Sequence, residues 1–207
     1  MIVLHVLTSL ALGGAPQAVL TLAAAMKSRN VRVAVVGPVG PMAARFIEHG
    51  IDVFMAPTDR LGRQAVRDVD RAVQVTGPDV LVSHGKGAAF CSDRIAERRN
   101  IPHVRVMHGL HHERYTPAGR WAYLAWERRL ARRAAALIFL SHADAGEATD
   151  LGIVARHQRV VPNGVDVDGL VAGRQLDGLH RRLAALDGRV DLRVVLEQLL
   201  DLLGSDG

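Results

Sequence analysis

The residues of this 207-residue chain with the most chemical potential fall at the ends of short apolar runs. Met107-His108-Gly109 closes one of them. An imidazole there, followed by a glycine, projects into a cleft as acid, base or hydrogen-bond donor. Ser83-His84-Gly85-Lys86-Gly87 closes another and combines small residues with two donors. That set suits an anion or a sugar hydroxyl, and equally a solvated loop with a capping serine. After the first apolar run, Gly13-Gly14 leads through Pro16 into a helical pattern. Paired glycines let the backbone approach a ligand, and a helix N-terminus favours a phosphate or carboxylate. The same residues also make a plain strand-to-helix turn. They match neither G-x-G-x-x-G nor a phosphate-binding loop ending in Gly-Lys-Ser/Thr.

Further candidates carry weaker chemistry. His111, His112 and Glu113 follow His108, but two adjacent histidines lack the H-E-x-x-H helix spacing of a zinc site. No metal is expected, and His111, His112 and Arg114 read as a basic, mobile loop. Ser141 precedes a helical pattern and is a natural N-cap, with ligand contact the minor alternative. Pro162-Asn163-Gly164 is a fixed turn that marks a chain reversal or a domain exit. Residues 119–133 interleave Trp121, Tyr123 and Trp126 with five arginines. Such a helix can lie on an anionic membrane surface. The favoured reading docks Leu124, Leu130 and the rings on a sheet while the arginines face water.

The elements that must position these residues alternate. Apolar, β-branched runs lie at Ile2–Leu7, Val31–Val36, Asp52–Met55, Asp79–Ser83, His103–Met107, Ala136–Leu140 and Arg159–Val161. Helical patterns separate them: Pro16–Arg29, Met42–His49, Gly62–Val75, Gly87–Arg99, Gly119–Ala135 and His142–Leu151. Continuously apolar strands imply a sheet covered on both faces, and the alternation implies parallel βαβ units. The expected fold is α/β, a Rossmann-like doubly wound parallel sheet over residues 1–166. Residues 167–207 read as a C-terminal helical appendage with leucines at helical spacing, among them Leu176, Leu179, Leu183, Leu196 and Leu199.

Composition narrows the class. Hydrophobic residues make up 49% and charged residues 23%, a globular balance. The formal charge is +5, but only Lys27 and Lys86 are lysines, and the arginine-and-alanine bias fits a GC-rich coding sequence. The basic balance is therefore no sign of a nucleic-acid partner. The single Cys91 excludes an intramolecular disulfide framework. The N-terminus lacks a basic n-region, and no apolar run is long enough to span a bilayer. The expected location is cytoplasmic, with peripheral contact at the inner face of the membrane left open.

The order and spacing of these pieces resemble the N-terminal domain of glycosyltransferase family 4 enzymes of the GT-B fold. The resemblance rests on Gly13-Gly14, Ser83-His84-Gly85, Ile101-Pro102-His103-Val104 leading to His108-Gly109, Ser141, and Val161-Pro162-Asn163-Gly164-Val165-Asp166. It implies hexosyl transfer from a nucleotide sugar, as co-substrate, to a sugar or lipid-linked acceptor, with no other cofactor. It places His108 near the reacting sugar carbon, where it assists transfer with retention. Gly13 and Gly14 would approach the donor diphosphate or the acceptor. Ser83 and His84 would line the acceptor side, with Lys86 and Gly109 beside them. Ser141 would lie at the cleft floor, and Asn163 at the interdomain hinge.

The family's second domain carries a Glu-x7-Glu motif, and Glu197 is the only glutamate after Asp166. The donor-binding domain is thus expected to be missing, and transfer by this chain alone is not expected, because catalysis needs both substrates in register. Three readings follow: a transferase half that works with a donor-domain partner chain or belongs to a longer enzyme, a non-catalytic glycan-binding module, and a structural remnant whose leucine-rich helices cover a bare surface or form a homodimer.

Overall fold

In a computed structural model, which describes residues 1–162, seven parallel strands form one sheet. The strands are β1 (Ile2–Leu7), β2 (Arg32–Gly37), β3 (Asp52–Met55), β4 (Val80–His84), β5 (His103–Met107), β6 (Ala136–Phe139) and β7 (Gln158–Val160). The helices are α1 (Gly14–Lys27), α2 (Met42–Glu48), α3 (Arg63–Thr76), α4 (Lys86–Arg99), α5 (Pro117–Arg133) and α6 (His142–Asp150). A 3-10 turn at His112–Arg114 was not anticipated from the sequence. Within the described residues every expected strand and helix is present, with ends displaced by two residues at most. The largest displacements have local causes. α1 starts at Gly14 because Pro16 fits a helix's first turn, where its missing N–H costs nothing. α5 starts at Pro117 because Thr116 caps it, accepting from Gly119 N–H, with proline at the first helical position.

The strand order is β3-β2-β1-β4-β5-β6-β7, so the direction of winding reverses between β1 and β4. Successive side chains alternate between the two faces. On one face α1 and α2 cover Val3, Leu7, Val33, Val35, Val80 and Val82. On the other, α3 and α4 bury Leu4, Val6, Ala34, Val36 and Leu81. α5 and α6 extend that second layer over Met107, Leu137 and Phe139. This is the doubly wound architecture expected, and its ligand crevice lies beyond the carboxyl ends of the strands at the reversal point. Residues 163–207, including Asn163, Leu196, Leu199 and the helical appendage, lie outside the described residues.

Two threonines and a glycine lock the loops at that carboxyl edge. Thr58, fully buried after β3, donates from Oγ1 to Leu7 O at 2.5 Å. Gly87, in the first turn of α4, packs directly against the backbone carbonyl of Thr58. Thr8 accepts from Ala88 N–H at 3.1 Å, and its own N–H donates to His84 O at 3.0 Å. The loops after β1, β3 and β4 are therefore tied to one another. Gly87→Ala would drive a methyl group into the Thr58 carbonyl, which backbone cannot yield cheaply. We expect a loss of about 2–4 kcal/mol, in the range of overpacked cores. Urea denaturation measures it; a midpoint equal to that of the unsubstituted chain would refute the tight contact.

Candidate functional site

The carboxyl ends of β1, β4 and β5 bring three histidines together. His5 lies opposite Val82 in the β1–β4 register, and His84 lies opposite Val106 in the β4–β5 register. His84 is thus two residues further along than His5, and His108 two further than His84, all on the face covered by α1. The side chains form a staircase toward the cleft. His5 Nδ1 is 3.0 Å from His84 Nε2, and His84 Nδ1 is 3.2 Å from His108 Nε2. His5 and His84 are buried and His108 is half-buried.

Burial sets their chemistry. A buried imidazolium loses its hydration, so the neutral form is favoured. His5 is lowered to about 4 by desolvation. Desolvation holds His84 well below the usual imidazole range, and the two flanking histidines push it the same way. His108 is lowered by desolvation as well. At neutral pH the row is uncharged, and His108 faces the cleft as a neutral imidazole.

The backbone around the row is equally specific. Gly85 and Gly109 follow His84 and His108 directly and adopt φ of +91° and +90°. That region disfavours a side chain, and at Gly85 a Cβ would also collide with Thr8. Each glycine turns the chain away immediately after its histidine. Gly13 and Gly14 differ: neither lies in the left-handed region, and a Cβ on either meets nothing within 4 Å. Nothing in the described protein requires glycine there. No side chain caps the exposed first turn of α1, and an uncapped helix N-terminus suits an anion.

Ser83 and His84 are neighbours in sequence but point to opposite faces. Both are buried, which corrects the alternative of a solvated loop. Ser83 Oγ is 2.8 Å from His103 Nε2, on the α4 side of the sheet, so the serine makes a core contact. His103 is lowered to about 3 by desolvation and by the nearby Arg105 charge. Arg105 donates from Nη2 to Glu127 at 2.6 Å, with both side chains under 5% exposed. This ion pair and Ser83 wall a cavity of about 90 Å³ that reaches His108, Gly109 and Lys86. Lys86 itself sits 5.4–5.6 Å from the ring centres of Tyr115, Tyr123 and Trp126 and donates to Tyr115 Oη at 3.3 Å. An aromatic cradle of this kind attracts a cation and fixes the lysine at the rim.

Other expectations need correction. His112 is not part of a mobile loop: it is buried in the 3-10 turn, 2.8 Å from Glu147 on α6. α5 docks Leu124 and Leu130, as expected, but Trp121 is 72% exposed and stays off the sheet. Nor do all the α5 arginines face water alone: Arg133 pairs with Asp93 and Glu97, and Arg128 donates to Leu151 O. Ser141 caps α6 by accepting from Asp144 N–H at 3.0 Å, and no contact joins it to the histidine row. Among the described residues no cluster of three ligating side chains could hold a metal, and no helix is long and apolar enough to cross a membrane. The sequence reading missed His5, Arg105 and Glu127. The signal for His5 and Arg105 was a polar residue inside an otherwise apolar strand, which must find a partner when buried.

The buried histidines also govern acid stability. Their unfolded values lie near 6.5, and their folded values are lower, so unfolding takes up protons below pH 6.5. Stability is full above that pH and falls as pH drops toward the folded values, about 4 for His5 and about 3 for His103. His84 acts in the same direction. Three protons would give a slope of about 4 kcal/mol per pH unit at its steepest. Urea midpoints between pH 7.5 and 4.5 test this, above the range where the lowered carboxylates Asp70 and Glu97 contribute. A flat profile would contradict burial of the row.

Comparison with known proteins agrees with this geometry. The family model described as Glycosyltransferase Family 4 matches residues 12–168. Among curated proteins no sequence matches the chain. Solved structures do. Anabaena Alr3699/HepE, crystallised in complex with UDP-glucose, is similar at 21% identity and a TM-score of 0.68, covering 81% of this chain and 45% of that one. A glycosyltransferase from Rickettsia africae ESF-5 is similar at 12% identity and a TM-score of 0.68, covering 90% and 49%. UDP-GlcNAc 2-epimerase from Methanocaldococcus jannaschii is similar at 13% identity and a TM-score of 0.54, covering 79% and 46%. At these identities the likeness shows the fold, which serves more than one reaction. The chain spans slightly less than half the length of these solved relatives. Since the family model covers about three quarters of the chain, through every strand but β1, the chain belongs to glycosyltransferase family 4.

Proposed function

We propose that this chain supplies the acceptor-side half of a glycosyltransferase that moves a hexosyl group from a nucleotide sugar to a sugar or lipid-linked acceptor. The observation that carries the reading is His108: a half-exposed neutral imidazole at the carboxyl end of β5, braced by His84 and turned out by Gly109. In transfer, the acceptor oxygen bonds to the sugar carbon as the carbon–oxygen bond to the diphosphate breaks, and the hydroxyl proton passes to the leaving diphosphate. His108 contacts the reacting sugar, and a neutral ring gives it a hydrogen bond without adding charge. Bare N–H groups at the start of α1 and the Lys86 ammonium offset negative charge on the diphosphate or on an anionic acceptor, with no metal required. His84 supports His108 from beneath, and Gly13, Gly14 and Gly109 keep the backbone open to substrate. Ser141 belongs to the same cleft by family resemblance. The UDP-glucose bound to Alr3699/HepE favours a uridine nucleotide as donor. A cytoplasmic site of action, with peripheral contact through α5 for a lipid-linked acceptor, fits the exposed Trp121.

The test combines calorimetry and turnover. The full chain should bind sugar or lipid-linked acceptors without transferring sugar from UDP-glucose. Fusion to a donor-binding domain should restore transfer, and His108→Ala should lower it about 100-fold or more. Acceptor binding by neither the chain nor the fusion, or transfer unaffected by His108→Ala, would overturn the proposal.

A further inference from the structure

A neutral imidazole has one N–H and one lone pair, so each bond in the histidine row needs a donor on one ring and an acceptor on the next. His84 uses both of its nitrogens, at 3.0 Å to His5 and 3.2 Å to His108. Its bonds therefore fix the polarity of the whole row, and only two neutral arrangements exist. In the first, His5 Nδ1–H donates to His84 Nε2, and His84 Nδ1–H donates to His108 Nε2. His108 then carries its proton on Nδ1. In the second, every proton sits on Nε2: His108 donates to His84, His84 donates to His5, and His108 keeps a bare Nδ1.

The closed end of the row decides between them. His5 Nε2 is sealed from solvent and has no hydrogen-bond partner. Its surroundings include Val19, Leu22 and Val82, which offer none. The second arrangement places an N–H in that dry site; the first leaves only a lone pair there. Orphaned N–H groups are rarer in protein interiors than unpaired acceptors, because a lost donor forfeits a bond it always makes in water. At the open end, His108 Nδ1 has no hydrogen-bond partner among the described residues and is not sealed.

We propose that His5 and His84 are positioning residues that hold His108 as its Nδ1–H tautomer, so that it presents a hydrogen-bond donor, not a base, to the cleft. The substrate atom facing His108 is then an acceptor: a hydroxyl, ring or phosphate oxygen. A proton taken up by this tautomer must go to Nε2, which already accepts from His84. His108 therefore cannot deprotonate an acceptor hydroxyl while the row is intact. This inference rests on the placement of His108 in the cleft given above, but its test needs no substrate.

The full chain, labelled with nitrogen-15 histidine, gives long-range proton–nitrogen correlations that separate protonated from bare ring nitrogens. At pH 7.5 His108 should show a protonated Nδ1 and a bare Nε2. His5→Leu removes the donor to His84, and His108 should shift toward the Nε2–H form or an average of the two. His5→Asn returns an amide N–H near the position of Nδ1, and the His108 pattern should return with it. A protonated Nε2 or an exchange-averaged ring in the unsubstituted chain would overturn the proposal, as would an unchanged His108 in folded His5→Leu. The unsubstituted spectrum alone settles the polarity if a variant fails to fold. Because neither donor nor acceptor is present, failure of the chain and of the fusion to bind an acceptor would count against the proposed function and leave this result standing.

Discussion

Everything at the carboxyl edge depends on the hydrogen-bonded register of β1, β4 and β5. Pairing Leu7 with His84 and His84 with Val106 places three histidines from separate strands on one face, each two residues ahead of the last. A slip of one residue in either ladder would turn a histidine to the opposite face, since side chains alternate. Register here is held firmly because both faces are buried: the same slip would push the apolar sets of β1 and β4 into the wrong layers. The core thus protects the site without touching a ligand.

The two faces do different work beneath the cleft. On the α1 side the row of imidazoles is neutral and runs from the buried His5 to the half-exposed His108 at the edge. On the α4 and α5 side the polar groups are sealed: Ser83 against His103, and Arg105 against Glu127. A buried ion pair contributes little net stability, because desolvation consumes most of the attraction. Its separation from the histidine row matters more. The sheet separates Arg105 from His5 and His84, with His108 reached through the cavity at the edge, while the charge lies next to His103, whose folded value it helps to lower. The loops above are braced by Thr8, Thr58 and Gly87, so α4 starts at a fixed height beside the row and carries Lys86 to the rim.

Backbone conformation divides the glycines into two kinds. Gly85 and Gly109 are demanded by the fold, through positive φ and, at Gly85, a close threonine. Gly13 and Gly14 are not demanded by anything in the described protein. A glycine without an internal reason, at the start of a helix and beside the winding reversal, is explained best by something that approaches from outside.

The sequence by itself determined the order and type of the elements, because continuous apolar runs and helical periodicity are local properties. It also placed His84, His108, Gly85 and Gly109 at strand ends, since each run stops where they begin. Thr116-Pro117 and the 3-10 turn were harder to see, because caps and short turns carry weak periodicity. Only the tertiary structure decided which strands are neighbours. Once β4 inserts beside β1, a histidine 79 residues away becomes a hydrogen-bond partner for His5. It likewise paired Arg105 with Glu127, and buried His112 against Glu147 where the sequence suggested a basic loop. Polar groups inside a core must be satisfied by partners distant in sequence. Periodicity reports burial but not the identity of the partner, which depends on strand order and register.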